Sequence, residues 1–106
     1  MNILSANKET IETEYKEKII GILTVLFPKA KVYLFGSRAR GTVSKISDID
    51  LAIDNGQKIL PIGLLAEARD MLNASNIPYK IEIVDFYSVS TLMQNQINQD
   101  GIIWKK

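Results

Sequence analysis

The chain contains no cysteine and no histidine. Their absence removes disulfides, thiolate nucleophiles, serine–histidine–aspartate relays and the donor sets of nearly all structural zinc sites. Any metal held here must be bound by oxygen, which favours magnesium or manganese. Lack of cysteine also agrees with a reducing cytoplasm. A surplus of either charge is missing too: 13 basic and 12 acidic side chains leave a formal net charge of +1. Proteins that grip a nucleic-acid backbone carry a basic surplus, because phosphate neutralisation supplies most of their affinity. Direct nucleic-acid binding is therefore not expected. No apolar run approaches the roughly 20 residues of a membrane span. The stretch from Met1 to Thr10 has no basic start leading into an apolar core, so no signal peptide is expected. These absences together point to a cytoplasmic protein that stays off the membrane.

What is present is ordinary globular composition, 46% apolar and 24% charged over 106 residues, which suits one domain spanning 1–106. Ile11, Tyr15, Ile19, Leu23 and Leu26 recur at helical spacing, predicting an amphipathic helix from about Lys8 to Leu26 that Pro28 stops. Lys31 to Phe35 is short, β-branched and aromatic, a buried strand running into Gly36. A polar loop, Gly36 to Lys45, follows. From Ser47 to Ile53 the apolar Ile49, Leu51 and Ile53 alternate with Asp48, Asp50 and Ala52, which marks a strand with one core face. Asp54-Asn55-Gly56 reads as a turn, Pro61 to Ala74 as a second helix, and Tyr79 to Asp85 as a third alternating strand. Ser88 or Ser90 caps a last helix to about Asn98, and Gly101 ends it. The apolar tail Ile102-Ile103-Trp104 is expected to dock on the body. This order predicts an α+β fold: a small mixed sheet backed by helices, with its first two strands paired across a functional loop.

Two features carry chemistry. Asp48 and Asp50 are two apart on a strand, so their side chains leave the same face with Cα atoms about 6.5–7 Å apart. Carboxylates at that spacing can share two metal ions about 3.5–4 Å apart. Like charges on one face repel, and a divalent cation resolves the repulsion. An isolated Asp-x-Asp is more often the solvated face of an edge strand. Upstream, Gly36 and Ser37 follow a strand directly. Glycine there permits close backbone approach to a phosphate, and the hydroxyl and amides can donate to its oxygens. A plain glycine turn with two exposed arginines is the competing account of that loop alone. It is not a Walker A loop, since Thr42 stands where a lysine is required. On the third strand Ile81 and Ile83 seek the core, so Glu82 faces the other way, toward Asp48 and Asp50. Asp85, three residues on, suits a turn or capping role.

Gly36-Ser37-Arg38-Ala39-Arg40-Gly41 followed by Ser47-Asp48-Ile49-Asp50-Leu51 resembles the signature of the minimal nucleotidyltransferases of the DNA polymerase β-like superfamily. That signature is Gly-Ser-x-Ala-Arg-Gly, then Ser-Asp-x-Asp-Leu. The resemblance implies the small nucleotidyltransferase fold and transfer of a nucleoside monophosphate, AMP from ATP. Asp48, Asp50 and Glu82 would hold two Mg2+ ions (or Mn2+), with Glu82 as general base. Gly36, Ser37 and Arg38 would hold phosphates, with Arg40 and Lys45 as further candidates for phosphate or partner contact. It also implies a helical HEPN-type partner protein in a hetero-oligomer, with this chain as the antitoxin of a toxin–antitoxin pair. The family pattern usually has aspartate where Glu82 stands. The alternative is therefore a binding module that has lost the chemistry and neutralises its partner by complex formation.

Overall fold

The computed structural model describes residues 11–40, 48–56 and 58–106, and of Ser37 and Arg40 the backbone only. Helix α1 (Thr13–Leu26) leads into strand β1 (Lys31–Phe35), a four-residue helix α2 (Ser37–Arg40) and strand β2 (Ile49–Asp54). Helix α3 (Ile62–Asn73), strand β3 (Ile81–Asp85), helix α4 (Thr91–Asp100) and strand β4 (Ile102–Lys105) complete the order. The four strands form one mixed sheet, ordered β3-β2-β1-β4. β1 is antiparallel to both β2 and β4, and β2 is parallel to β3 across the α3 crossover.

The alternation read in β2 decides which face is buried. Ile49, Leu51 and Ile53 are fully buried, and on the neighbouring strands Val32, Leu34 and Ile83 join them. α1 covers this face with Ile19 and Leu23, and α3 with Ala68 and Leu72, all in one apolar cluster. Each buried Ile or Leu contributes about 1.5–3 kcal/mol relative to exposure, so β2 is held firmly from its apolar side. On the other face Ala52, Phe86 and Ile97 form a smaller cluster, against which Tyr33, Phe35, Val84 and Met93 pack. That cluster seats α4. Arg69 of α3 reaches over to β3 and donates from Nη2 to the Ile83 carbonyl at 3.1 Å.

Local chemistry sets the element ends. Ser90 caps α4, its hydroxyl accepting from the Met93 amide at 3.2 Å. Asp54 closes the expected turn by accepting from the Gly56 amide at 2.9 Å. Several expectations shift. The segment after Gly36 begins with a turn of helix, α2, where a loop was expected. β2 starts at Ile49 and runs to Asp54, one residue beyond the expected Ile53. The tail is a strand, β4, paired along β1, with Trp104 8% exposed. The first helix, expected from about Lys8, starts at Thr13 after the non-helical Ile11 and Glu12, and residues 8–10 lie outside the described residues; β3, expected from Tyr79, starts at Ile81. Among the described residues no helix is long and apolar enough to cross a membrane.

Candidate active site

β1 ends at Phe35, and the chain must turn sharply at Gly36 to enter α2. Gly36 has φ +76°, a left-handed conformation that glycine adopts without the steric penalty of a Cβ. A second constraint acts at the same atom. A Cβ built on Gly36 would lie 2.5 Å from Oδ2 of Asp50. The missing side chain is therefore the space into which the Asp50 carboxylate fits. Strand pairing brings the two together: Phe35 lies opposite Asp50, and Asp50 lies opposite Glu82 on β3. Phe35, Asp50 and Glu82 thus occupy one rung across three strands, on the face opposite the Ile49–Leu51–Ile53 core. Adjacent strands are about 4.8 Å apart, which makes Asp50 and Glu82 side-chain neighbours. The start of β2 is tied to β3 by the Ile49 amide, which donates to the Lys80 carbonyl at 2.9 Å.

Asp48 is exposed and stands just before β2. Glu82 points away from the core as expected, but its Oε2 lies 3.6 Å from Nζ of Lys80. Among the described residues no three acidic side chains are gathered closely enough to hold a metal ion. In this structure the carboxylates of Asp48, Asp50 and Glu82 are accordingly not drawn together at one point. The backbone register pairs Asp50 with Glu82, while the Glu82 carboxylate leans on Lys80, just before its own strand. The physical reason is plain: acids on one face repel, and Lys80, two residues before Glu82 and on the same face, offers the opposite charge. Both side chains are more than half exposed, so this pair is weak and readily exchanged. The lysine was visible in the sequence at that i, i+2 spacing.

Arg38 also departs from expectation. It is 1% exposed, with its guanidinium 4.5 Å from the centre of the Tyr79 ring. A side chain enclosed in that way anchors α2 to the body, where an exposed phosphate contact was expected. The side chains of Ser37 and Arg40, and all of Lys45, lie outside the described residues. Asp85 takes the capping role. Its carboxylate accepts from the amides of Leu60 at 2.7 Å and Tyr87 at 3.0 Å, and from the Ser88 hydroxyl at 3.1 Å.

Beside Gly36 a recess of about 200 Å³ opens between the end of β1 and α4, lined by Phe35, Gly36, Met93, Gln96 and Asp100. The α4 residues were not singled out from the sequence. Their i, i+3, i+7 spacing was the available signal, since it places them on one helix face. A larger recess of about 330 Å³, lined by Lys29, Lys31, Asp54, Gly56 and Tyr87, lies at the other end of β1 and β2. It contains none of the expected site residues.

Residues 17–106 match the family model for polymerase beta nucleotidyltransferases. The chain belongs to this family. Among curated nucleotidyltransferase relatives, the probable protein adenylyltransferase MntA of Haemophilus influenzae is 33% identical over 82 residues. That match covers 76% of this chain and 69% of the relative. The protein adenylyltransferase MntA of Shewanella oneidensis is 33% identical over 87 residues, covering 81% of this chain and 61% of the relative. The chain thus spans about two thirds of the length of these relatives. Among solved structures, a toxin–antitoxin assembly with AMP-PNP is 33% identical, with a TM-score of 0.71, covering 84% of this nucleotidyltransferase and 71% of that chain. A tri-AMPylated Shewanella oneidensis HEPN toxin in complex with MNT antitoxin gives 28% identity and a TM-score of 0.68, covering 89% and 71%.

Proposed function

We propose that this chain transfers AMP from ATP to a hydroxyl of a HEPN-type helical partner protein, and so serves as the antitoxin of a toxin–antitoxin pair in the cytoplasm. The observation that carries the proposal is the rung on which Asp50 sits against bare Gly36 and beside Glu82. Adenylyl transfer by the MntA relatives, AMP-PNP in one related assembly and an AMPylated HEPN toxin in another support the choice of nucleotide and partner.

A divalent metal fits the donor set. The acids are oxygen donors only, Asp50 and Glu82 lie on one rung with like charge, and the third, Asp48, precedes Asp50 by two residues. Asp48 and Asp50 would hold two Mg2+ ions, with Glu82 swinging from the exposed Lys80 to complete the set. When bound, such ions neutralise triphosphate charge and ease ionisation of a hydroxyl. The chain's own residues do the rest. The amides of the Gly36–Ser37 turn would hold the outer phosphates. Glu82 would accept the proton of the acceptor hydroxyl. As that oxygen bonds to the α-phosphorus, the bond from the α-phosphorus to the pyrophosphate oxygen breaks, and pyrophosphate leaves.

A second reading, inhibition by contact without chemistry, is favoured by one observation: the Glu82 carboxylate turned to Lys80. The two are separated by incubating the full chain with magnesium, labelled ATP and the helical partner encoded beside it. AMP should appear on the partner, and Asp48→Asn with Asp50→Asn should abolish it. A tight complex with no label on the partner would overturn transfer and leave the contact reading.

A further inference from the structure

Helix α2 is four residues long, too short to hold its own shape or direction. Something outside it must aim the phosphate-holding turn, and the buried residues of α2 identify what does. Ala39 and Arg38 are each 1% exposed. Ala39 fills space, whereas a fully enclosed arginine is rare unless its charge is met. Arg38 lies over the Tyr79 ring, 4.5 Å from its centre. Tyr79 is held twice more. Its ring meets Tyr15 of α1 edge-on, with centroids 6.0 Å apart and planes at 82°, and its hydroxyl donates to Oε1 of Glu12 at 2.7 Å. Tyr79 stands two residues before β3 and three before Glu82. Its neighbour Lys80 gives its carbonyl to Ile49, next to Asp50.

We infer that Arg38 and Tyr79, steadied by Glu12, form a clamp that sets the phosphate-holding turn relative to the strand entries carrying Asp50 and Glu82. They are positioning residues, and the inference rests on the function proposed above. A methyl or isobutyl group in place of the guanidinium could fill the volume but would accept many orientations. A planar cation stacked on a ring accepts few, and so fixes the direction in which Gly36 and Ser37 present their amides. The phenol carries a signature of the same contacts. The hydrogen bond to Glu12, burial and the Glu12 charge raise Tyr79 above its ordinary pKa, while the Arg38 charge opposes them.

The test uses the full chain and its partner. Magnesium-dependent binding of AMP-PNP is measured by calorimetry, AMP transfer is measured as kcat and KM, and circular dichroism confirms folding. Tyr79→Phe keeps the ring and should transfer AMP within about twofold of the wild type. Tyr79→Leu and Arg38→Met should lower kcat between about tenfold and a hundredfold, in line with a misplacement on the order of 1 Å. KM for the partner protein should hold steady. Arg38→Lys keeps the charge without the planar group and should lose several-fold, which covers the case in which Tyr79→Leu does not fold. In Arg38→Met the Tyr79 phenol, followed by ultraviolet absorbance against a Tyr79→Phe background, should titrate at higher pH than in the wild type. Folded Tyr79→Leu, or Arg38→Lys, with binding and kcat equal to the wild type overturns the clamp alone. A wild type that takes up no nucleotide overturns the proposed function, and the positioning role with it.

Discussion

Replacing Gly36 by alanine imposes two separable penalties on the protein. The first is conformational: at φ +76° an L-residue in the left-handed region costs about 1–2 kcal/mol. The second is a collision, because the new Cβ would stand 2.5 Å from Asp50 Oδ2, about 0.9 Å inside the 3.4 Å at which ordinary contact begins. The collision is relieved by moving the carboxylate, and a shift on the order of 1 Å at a reacting centre costs about a hundredfold in rate. Gly56 supplies the control. It has φ +66°, yet a Cβ there meets nothing within 4 Å. Gly56→Ala should therefore lose a similar 1–2 kcal/mol in urea unfolding and keep its AMP transfer. Gly36→Ala should lose at least as much stability and about a hundredfold in transfer per folded molecule. If the two variants unfold alike and both transfer AMP at the wild-type rate, the seat of Asp50 against Gly36 is not what organises the site.

Other substitutions test the rest of the framework. Asp85→Asn weakens three hydrogen bonds to a carboxylate that is 5% exposed, and should cost about 2–4 kcal/mol in denaturant titrations with little change in AMP transfer per folded molecule. Ser90→Ala removes the α4 cap and should cost about 1 kcal/mol by the same measurement. The raised pKa of Tyr79 gives a pH dependence whose sign is fixed. A group with a folded-state pKa above its unfolded value of 10.0 contributes stability that is complete below that value and is lost as pH rises through the folded one. The stability advantage of the wild type over Tyr79→Phe should thus be level from pH 7 to 9 and shrink above pH 10. An advantage that grew with alkali would exclude the phenol as the donor to Glu12.

Much of the fold was legible because short-range chemistry agreed with burial. Lys31–Phe35 was bounded by Pro28 and Gly36 and emerged with those limits. The alternation of Ile49, Leu51 and Ile53 assigned the buried face of β2 and so the open face of Asp50. Ser90 was one of two candidate caps, and Asp85 was assigned to a turn. What escaped was non-local. A four-residue helix leaves no periodicity to detect, so α2 read as loop. β4 is too short to alternate convincingly, and its partner β1 lies some 70 residues earlier. The burial of Arg38 depends on Tyr79, a residue 41 positions away that only the parallel β2–β3 pairing brings near. Glu82 was placed on the right face, yet the side chain that draws it, Lys80, sat two residues off in plain view.

The strand order has a consequence for synthesis on the ribosome. β1 is interior to the sheet, but one of its two flanks is filled by β4, which leaves the ribosome some 70 residues after it. Within that interval β1 can pair with β2, and late in it β3 joins them, while the remaining side of β1 stays bare. An uncovered strand edge of this kind invites pairing with another copy. Residues 102–105 therefore act as a late closing piece, and substitutions that slow their docking should show first as aggregation of nascent chains, before any loss is visible in the finished protein.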